Sequence, residues 1–319
     1  MGDDSADSRR RLLIWGALAI VYVVWGSTYL AIRITIETIP PLISGAGRFM
    51  TAALVLGVAV RLLKGRGAFR MTRRQAGGAA LVGLLLLTGG NGMVAVAEQH
   101  ISSGLAALLV ASVPLWLVVF RILTRDRPRV LTLAGVLVGF GGVAALSLDG
   151  GGNAADGTGI AIILLASLSW SVGSFLSSRI PMPDDPFAAS TVEMAVGSVG
   201  LALSSAVVGE HLDLAAVSSR SWIALTYLIL IGSLIGFTAY VWLLGNAPIS
   251  LVSTYAYVNP VVAVLLGALV LSEPVTGSMV AAGVVIVIGV ALVVSTERRA
   301  KTGPPPEQPD TPRQAPAIV

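Results

Sequence analysis

The chain has 319 residues, 55% of them hydrophobic and 12% charged, where a soluble domain carries roughly 25% charge. With a mean hydropathy of +0.85, this composition excludes a water-soluble globule and makes a lipid bilayer the expected solvent and partner. The net charge of +4 does not indicate nucleic acid, because the Arg residues sit between apolar runs and not on a basic face with base-contacting residues.

A helix needs about 20 apolar residues to cross the hydrocarbon core, and ten such runs occur. Residues 1–11 form a cytoplasmic N-terminal segment. The five-helix unit 12–148 follows, with runs at Leu12–Ile32, Pro41–Val60, Ala76–Ala97, Ile101–Phe120 and Val130–Leu148. A Gly/Asp-rich linker, 149–158, leads into a second unit, 159–296. Its runs are Gly159–Ser178, Phe187–Val208, Ser221–Leu244, Ser250–Leu271 and Gly277–Ser295. The tail 297–319 holds six Pro and four basic residues and is expected to be disordered and solvated. The runs are apolar all round and lack the alternation of a membrane barrel, so the predicted class is an all-α polytopic membrane protein with ten transmembrane helices. Arg9-Arg10 after Ser8 has the form of a twin-arginine signal. A full-length apolar run with no small-residue cleavage site follows it, and nine more spans come after, so it reads as a membrane-side charge.

If the N-terminus is cytoplasmic, 18 of the 21 Lys and Arg fall on the inner side. Arg33 and Arg220 fall outside, and Arg48 lies within the second span. This asymmetry predicts a plasma-membrane protein with both termini in the cytoplasm.

The two halves match at an offset of 145 to 148. Trp25 pairs with Trp170, Ile101-Ser102 with Ile249-Ser250, Pro114 with Pro260, Pro128 with Pro274, and Gly135/Gly141 with Gly283/Gly289. Five spans per half is an odd number, so the second copy enters from the opposite side and the repeats are inverted. The connectors differ in charge accordingly. Arg121 to Arg129 holds four Arg where Ser272-Glu273-Pro274 has no basic residue, and Arg61 to Arg74 holds six basic residues where Gly209 to Arg220 has one.

Several motifs are now in place: Trp25-Gly26-Ser27-Thr28-Tyr29, Arg48-Phe49, Pro114, Pro260, and the Ser272-Glu273-Pro274 turn before a Gly-containing last span. Over residues 12–296 the chain resembles the EamA-type branch of the drug/metabolite transporter superfamily. The resemblance implies an inverted-repeat bundle around a central cavity, lined mainly by spans one, three, four, six, eight and nine. It also implies alternating access and export of amino acids or similar metabolites. The connector Asp126-Arg127-Pro128 departs from the family's usual glutamate.

Two ionisable groups lie at depth, where each costs at least ~2.5 kcal/mol on insertion scales. Arg48 is seven residues into span two and Glu193 six residues into span seven, so each is roughly 10 Å below its own surface. Structural roles for both compete with proton coupling through Glu193. Pro114 and Pro260 each remove a backbone donor in mid-span, from the carbonyls of Val110 and Ala256, and are candidate hinges on the translocation path. Tyr255 and Asn259, four residues apart, share a helix face. With Trp25, Ser27, Tyr29, Trp170 and Ser174 they form a candidate substrate wall for a small zwitterion, and Asn91 in Gly89-Gly90-Asn91-Gly92 adds an amide. Gly135-xxx-Gly139 is a packing face, within the bundle or in a homodimer, so a monomer and a dimer are both open. Trp15 and Trp222 read as interfacial anchors.

With no Cys and only His100 and His211, disulfides, thiolate chemistry, haem and an ordinary zinc site lack ligands, and no cofactor or metal is expected. The leading expectation is a secondary transporter of small metabolites. The alternatives are multidrug efflux, which lacks the first-span carboxylate that small multidrug pumps depend on, a lipid-modifying membrane enzyme, which lacks a clustered set of acids and His at one interface, and a receptor or scaffold.

Overall fold

The computed structural model describes residues 2–124, 129–149 and 157–301. Among them ten helical rods follow in order: α1 (Gly2–Thr35), α2 (Pro41–Leu63), α3 (Arg73–Ala97), α4 (Ser103–Leu123), α5 (Val130–Asp149), α6 (Gly157–Ser177), α7 (Pro186–Val208), α8 (Ser219–Asn246), α9 (Ile249–Val252 continued by Tyr255–Leu271) and α10 (Gly277–Lys301). Among the described residues eight helices are long and apolar enough to cross a membrane. Two shorter apolar helices, Val258–Leu271 and Gly277–Val293, fall where the ninth and tenth spans are expected. The first helix begins at Gly2, so residues expected to precede the membrane as a separate segment continue the helix axis through Arg10 and Arg11. Most of the linker (150–156), most of the tail (302–319) and Asp126-Arg127-Pro128 lie outside the described residues.

Helix starts are written in the sequence. Thr72 and Gln75 form a capping box, Ser102 accepts from the N–H of Leu105, Ser218 from that of Ser221, and Asp185 from those of Phe187 and Ala188. Gly209, with φ 77°, ends α7 in the left-handed conformation that costs glycine nothing.

Polar contacts between connectors sort into two faces. On the face where α1 begins, Lys64 after α2 pairs with Asp185 before α7, Gln75 donates to Asp184 (3.3 Å), and Arg10 donates to the carbonyl of Asn246 (3.2 Å). Burial alone would raise the Asp185 pKa, but Lys64 and the N–H groups of Ala188 and Phe187 outweigh it and hold the carboxyl below its usual range. On the far face the Glu210 carboxylate accepts from the N–H groups of Leu42 (3.1 Å) and Ile43 (2.9 Å) at the start of α2, and Arg220 faces Glu37 at 3.7 Å. Glu273, in a turn where Ser272 takes φ 54°, accepts from the N–H of Ser103 (3.0 Å), the Ser103 hydroxyl (2.8 Å) and the N–H of Gly104 (3.3 Å). It thereby supplies orphan donors of α4 with a charged acceptor. This distribution is what successive antiparallel crossings produce.

α5 packs along α10, and α2 along α7. The Gly135-xxx-Gly139 face is used inside the bundle. A Cβ on Gly135 would lie 2.8 Å from the carbonyl oxygen of Gly289, and one on Gly289 would overlap the backbone of Gly139, so glycine at each position lets the two backbones touch.

Candidate functional site

The second half of α1 sorts its residues between two environments. Trp25, Thr28, Tyr29 and Ile32, spaced 3, 4 and 7 apart, line a central cavity, while Ser27, Leu30, Ala31 and Ile34 repeat that spacing on the opposite side and line a lateral groove against α8. Ser27, expected in the substrate wall, is therefore turned away from the cavity. It donates to the carbonyl of Val24 (2.7 Å) and meets the Tyr227 hydroxyl at 2.6 Å.

The cavity also takes Arg48 and Phe49 from α2, Asn91 from α3, Val110 from α4, Trp170 from α6, Gly232 from α8, and Tyr255 and Asn259 from α9. Spans one, three, four, six, eight and nine all contribute as the family resemblance implies, and span two joins them. The free volume is about 60 Å³, room for several waters.

One wall of it is backed by an aromatic cluster. Trp25 meets Trp170 edge to face at 5.3 Å between ring centres, Tyr240 at 4.7 Å and Tyr255 at 5.4 Å. Trp170 and Tyr240 lie 5.4 Å apart. Each such pair is stabilising by about 0.5–1.5 kcal/mol beyond area burial, and the rings present both faces and edges. Ser174, expected on the wall, sits behind it: its hydroxyl meets that of Tyr240 at 2.6 Å, and Trp170 Nε1 donates to the same oxygen at 3.2 Å. Ser174 thus fixes Tyr240, a residue that the sequence reading missed. The available signal was a phenol inside the eighth span, whose hydroxyl must find a partner in lipid.

Glycines make room for both indoles. A Cβ on Gly90 would lie 2.8 Å from Cε3 of Trp170, and one on Gly236 would lie 2.9 Å from Nε1 of Trp25. The two glycines are 146 apart and the two tryptophans 145. Both glycines belong to π-helical stretches, Leu84–Gly92 in α3 and Leu228–Phe237 in α8, and each stretch borders the cavity. π-Helix is rare and concentrates at functional sites.

Arg48 does not reach outward to the surface. It is 4% exposed, its Nε donates to the Ser233 hydroxyl at 2.8 Å, its Nη1 to Asn91 Oδ1 at 3.3 Å, and its guanidinium lies 4.6 Å from the ring centre of Phe49. Glu193 makes no ion pair with it among the described residues. Glu193 is buried, Gly83 of α3 packs against its backbone, and its Oε2 has no hydrogen-bond partner among the described residues.

α4 is interrupted at Ala111-Ser112, so Pro114 occupies the first turn of the continuing helix, where its missing N–H is no loss. The interruption is stitched to α6, with the Ser112 and Ser167 hydroxyls 3.1 Å apart and the Ser171 hydroxyl donating to the carbonyl of Val113 at 3.4 Å. α9 is interrupted at Ser253-Thr254 and stays helical through Pro260. Tyr22 bonds Thr254 across to α1. With its amide nitrogen turned toward the backbone, Asn259 donates to the carbonyls of Tyr255 (3.2 Å) and Tyr22 (3.0 Å), so it ties α9 to α1 as well as lining the cavity.

Glu98, one residue past the expected end of the third span, is fully buried at the far face, and neither of its carboxylate oxygens has a partner among the described residues. Arg33 donates to its backbone carbonyl. Burial and then the Glu273 charge push the Glu98 carboxyl well above its ordinary range, against the opposing pull of Arg33.

The family described as the EamA-like transporter family matches residues 13–148 and again 157–295. The chain is 43% identical over 260 residues to the "uncharacterized inner membrane transporter YedA" of Escherichia coli (strain K12), covering 81% of this chain and 83% of that one. It is 25% identical to a WAT1-related chloroplastic protein of Arabidopsis thaliana, over 88% of this chain and 69% of that one. A solved crystal structure of a protein with 22% identity shares the fold at a TM-score of 0.64, over 92% of this chain and 99% of that chain.

Proposed function

This chain belongs to the EamA-like transporter family of the drug/metabolite transporter superfamily, and on that premise we propose that it is a secondary transporter of the inner membrane that exports small metabolites, amino acids foremost, by alternating access. The observation that carries the reading is the central cavity, whose aromatic lining comes from both matched segments, Trp25 from the first and Trp170 and Tyr255 from the second, with Tyr240 packed against all three rings. Ten crossings in two inverted five-helix units account for the sorting of connectors onto two faces. They also account for the paired π-helical stretches and the reciprocal contacts of Gly90 with Trp170 and Gly236 with Trp25. The uneven distribution of Lys and Arg supports cytoplasmic termini. Trp25, Tyr29, Asn91, Trp170, Tyr255 and Asn259 would face the substrate, Pro114 and Pro260 would serve as hinges, and Glu193, buried with an unpartnered oxygen, would carry the coupling proton.

Reconstituted protein should move members of a panel of amino acids, nucleosides, sugars and organic cations in liposomes, with amino acids preferred and a pH gradient driving uptake against concentration. Glu193→Gln should abolish the gradient-driven component and leave counterflow intact. Absence of flux for every compound would remove the transport reading, and unaltered gradient-driven flux in Glu193→Gln would remove the coupling role.

A further inference from the structure

Building on the transport reading, we infer that Arg48 and Asn91 form an anchor for the carboxylate of a singly charged acid or zwitterion, which fixes the substrate class as small carboxylic acids, amino acids included. An arginine in lipid keeps its charge, and burying it without an opposite charge is costly. Arg48 is 4% exposed, yet among the described residues no carboxylate lies within 4.0 Å of its guanidinium. Its two hydrogen-bond acceptors, Ser233 Oγ and Asn91 Oδ1, are neutral. They orient the group without neutralising it.

A guanidinium has five N–H donors, and only one on Nε and one on Nη1 are engaged. Both donors on Nη2 are unused among the described residues. Nη2 occupies a notch that only glycine leaves open: a Cβ on Gly232 would come within 3.0 Å of it, and both residues line the cavity. Beside it, Asn91 accepts from Arg48 through Oδ1, and its Nδ2 has no partner among the described residues. The cavity thus presents a guanidinium edge flanked by an amide donor, the fork that a planar carboxylate accepts with two parallel bonds. One buried cation neutralises one negative charge, so a dianion would leave a charge uncompensated. The rings of Trp25, Trp170 and Tyr255 line the same space and offer π faces for an ammonium group or an apolar side chain.

The test is a binding measurement on purified full-length protein, following thermal unfolding with L-phenylalanine, L-leucine, L-threonine and benzoate, each beside its carboxamide. Acids should bind at least about tenfold more tightly than their amides, the value of a charge-assisted hydrogen bond expressed as affinity. Arg48→Lys should keep part of that preference, and Arg48→Gln should lose it. Equal binding of acid and amide, binding of none of the acids, or an undiminished preference in Arg48→Gln would overturn the anchor. The wild-type comparison of acid with amide needs no variant, so a misfolded Arg48→Gln protein does not blunt the test. Acid binding without flux in liposomes would instead count against transport, and flux indifferent to the carboxylate would count against the anchor alone.

Discussion

Ser27 and Thr28 are neighbours in the chain and face different surroundings, because successive helical residues turn by about 100°. That rotation explains why Trp25, Tyr29, Tyr255 and Asn259 reach the cavity while Ser27 does not. Residue type made the polar and aromatic candidates legible, but their facing depends on where the apolar stripe lies, and an all-round apolar span has no stripe to read. Glu98 was illegible for a related reason: its burial is created by packing across the far face, and nothing local announces it. Its carboxyl titrates above the 4.5 of an exposed glutamate, so the folded protein holds a proton that the unfolded chain releases. Stability from this group is complete below that value and declines as pH rises toward the folded pKa. Glu98→Gln removes the ionisation, and should raise the unfolding temperature at pH 8 while changing it little at pH 4. An equal shift at both pH values would show that the carboxyl does not carry the effect.

At the scale of elements, both mid-span prolines lie on interrupted helices, Pro114 just after its interruption and Pro260 a turn and a half beyond its own. α4 breaks one turn before Pro114, and α9 breaks at Ser253-Thr254 and then runs helically past Pro260. Proline removes a donor without dictating which neighbouring turn yields. The π-helical stretches in α3 and α8 left still less trace, because widening a turn has no compositional signature and the glycines of Gly89-Gly90-Asn91-Gly92 fit tight packing equally well. Since Pro260 sits within a continuous helix that borders the cavity, restoring its missing donor should stiffen α9. Pro260→Ala is expected to lower the transport rate by severalfold while the binding constant stays within about twofold, as for a group that governs closure and not contact. A matched loss in both would make Pro260 a packing residue.

At the scale of the whole molecule, the apolar runs correspond to an all-helical chain among the described residues, and the internal offset to a family match that occurs twice. Span length, charge asymmetry and the internal offset are properties of the bilayer and of duplication, and they survive any uncertainty in side-chain facing. Transport as proposed requires the cavity between the two halves to be the route that substrate takes. The chain has no cysteine, so single substitutions can be read without background. Thr28→Cys places a thiol in the cavity, and Leu30→Cys places one on the opposite side of the same helix, toward the lateral groove. The thiolate needed for reaction forms where water reaches. The measurement is flux in proteoliposomes before and after a membrane-impermeant methanethiosulfonate. The account predicts that Thr28→Cys is modified, that its flux falls to background and that substrate protects it, with Leu30→Cys untouched. Full flux through a fully modified Thr28→Cys protein, or block at Leu30→Cys alone, would contradict it.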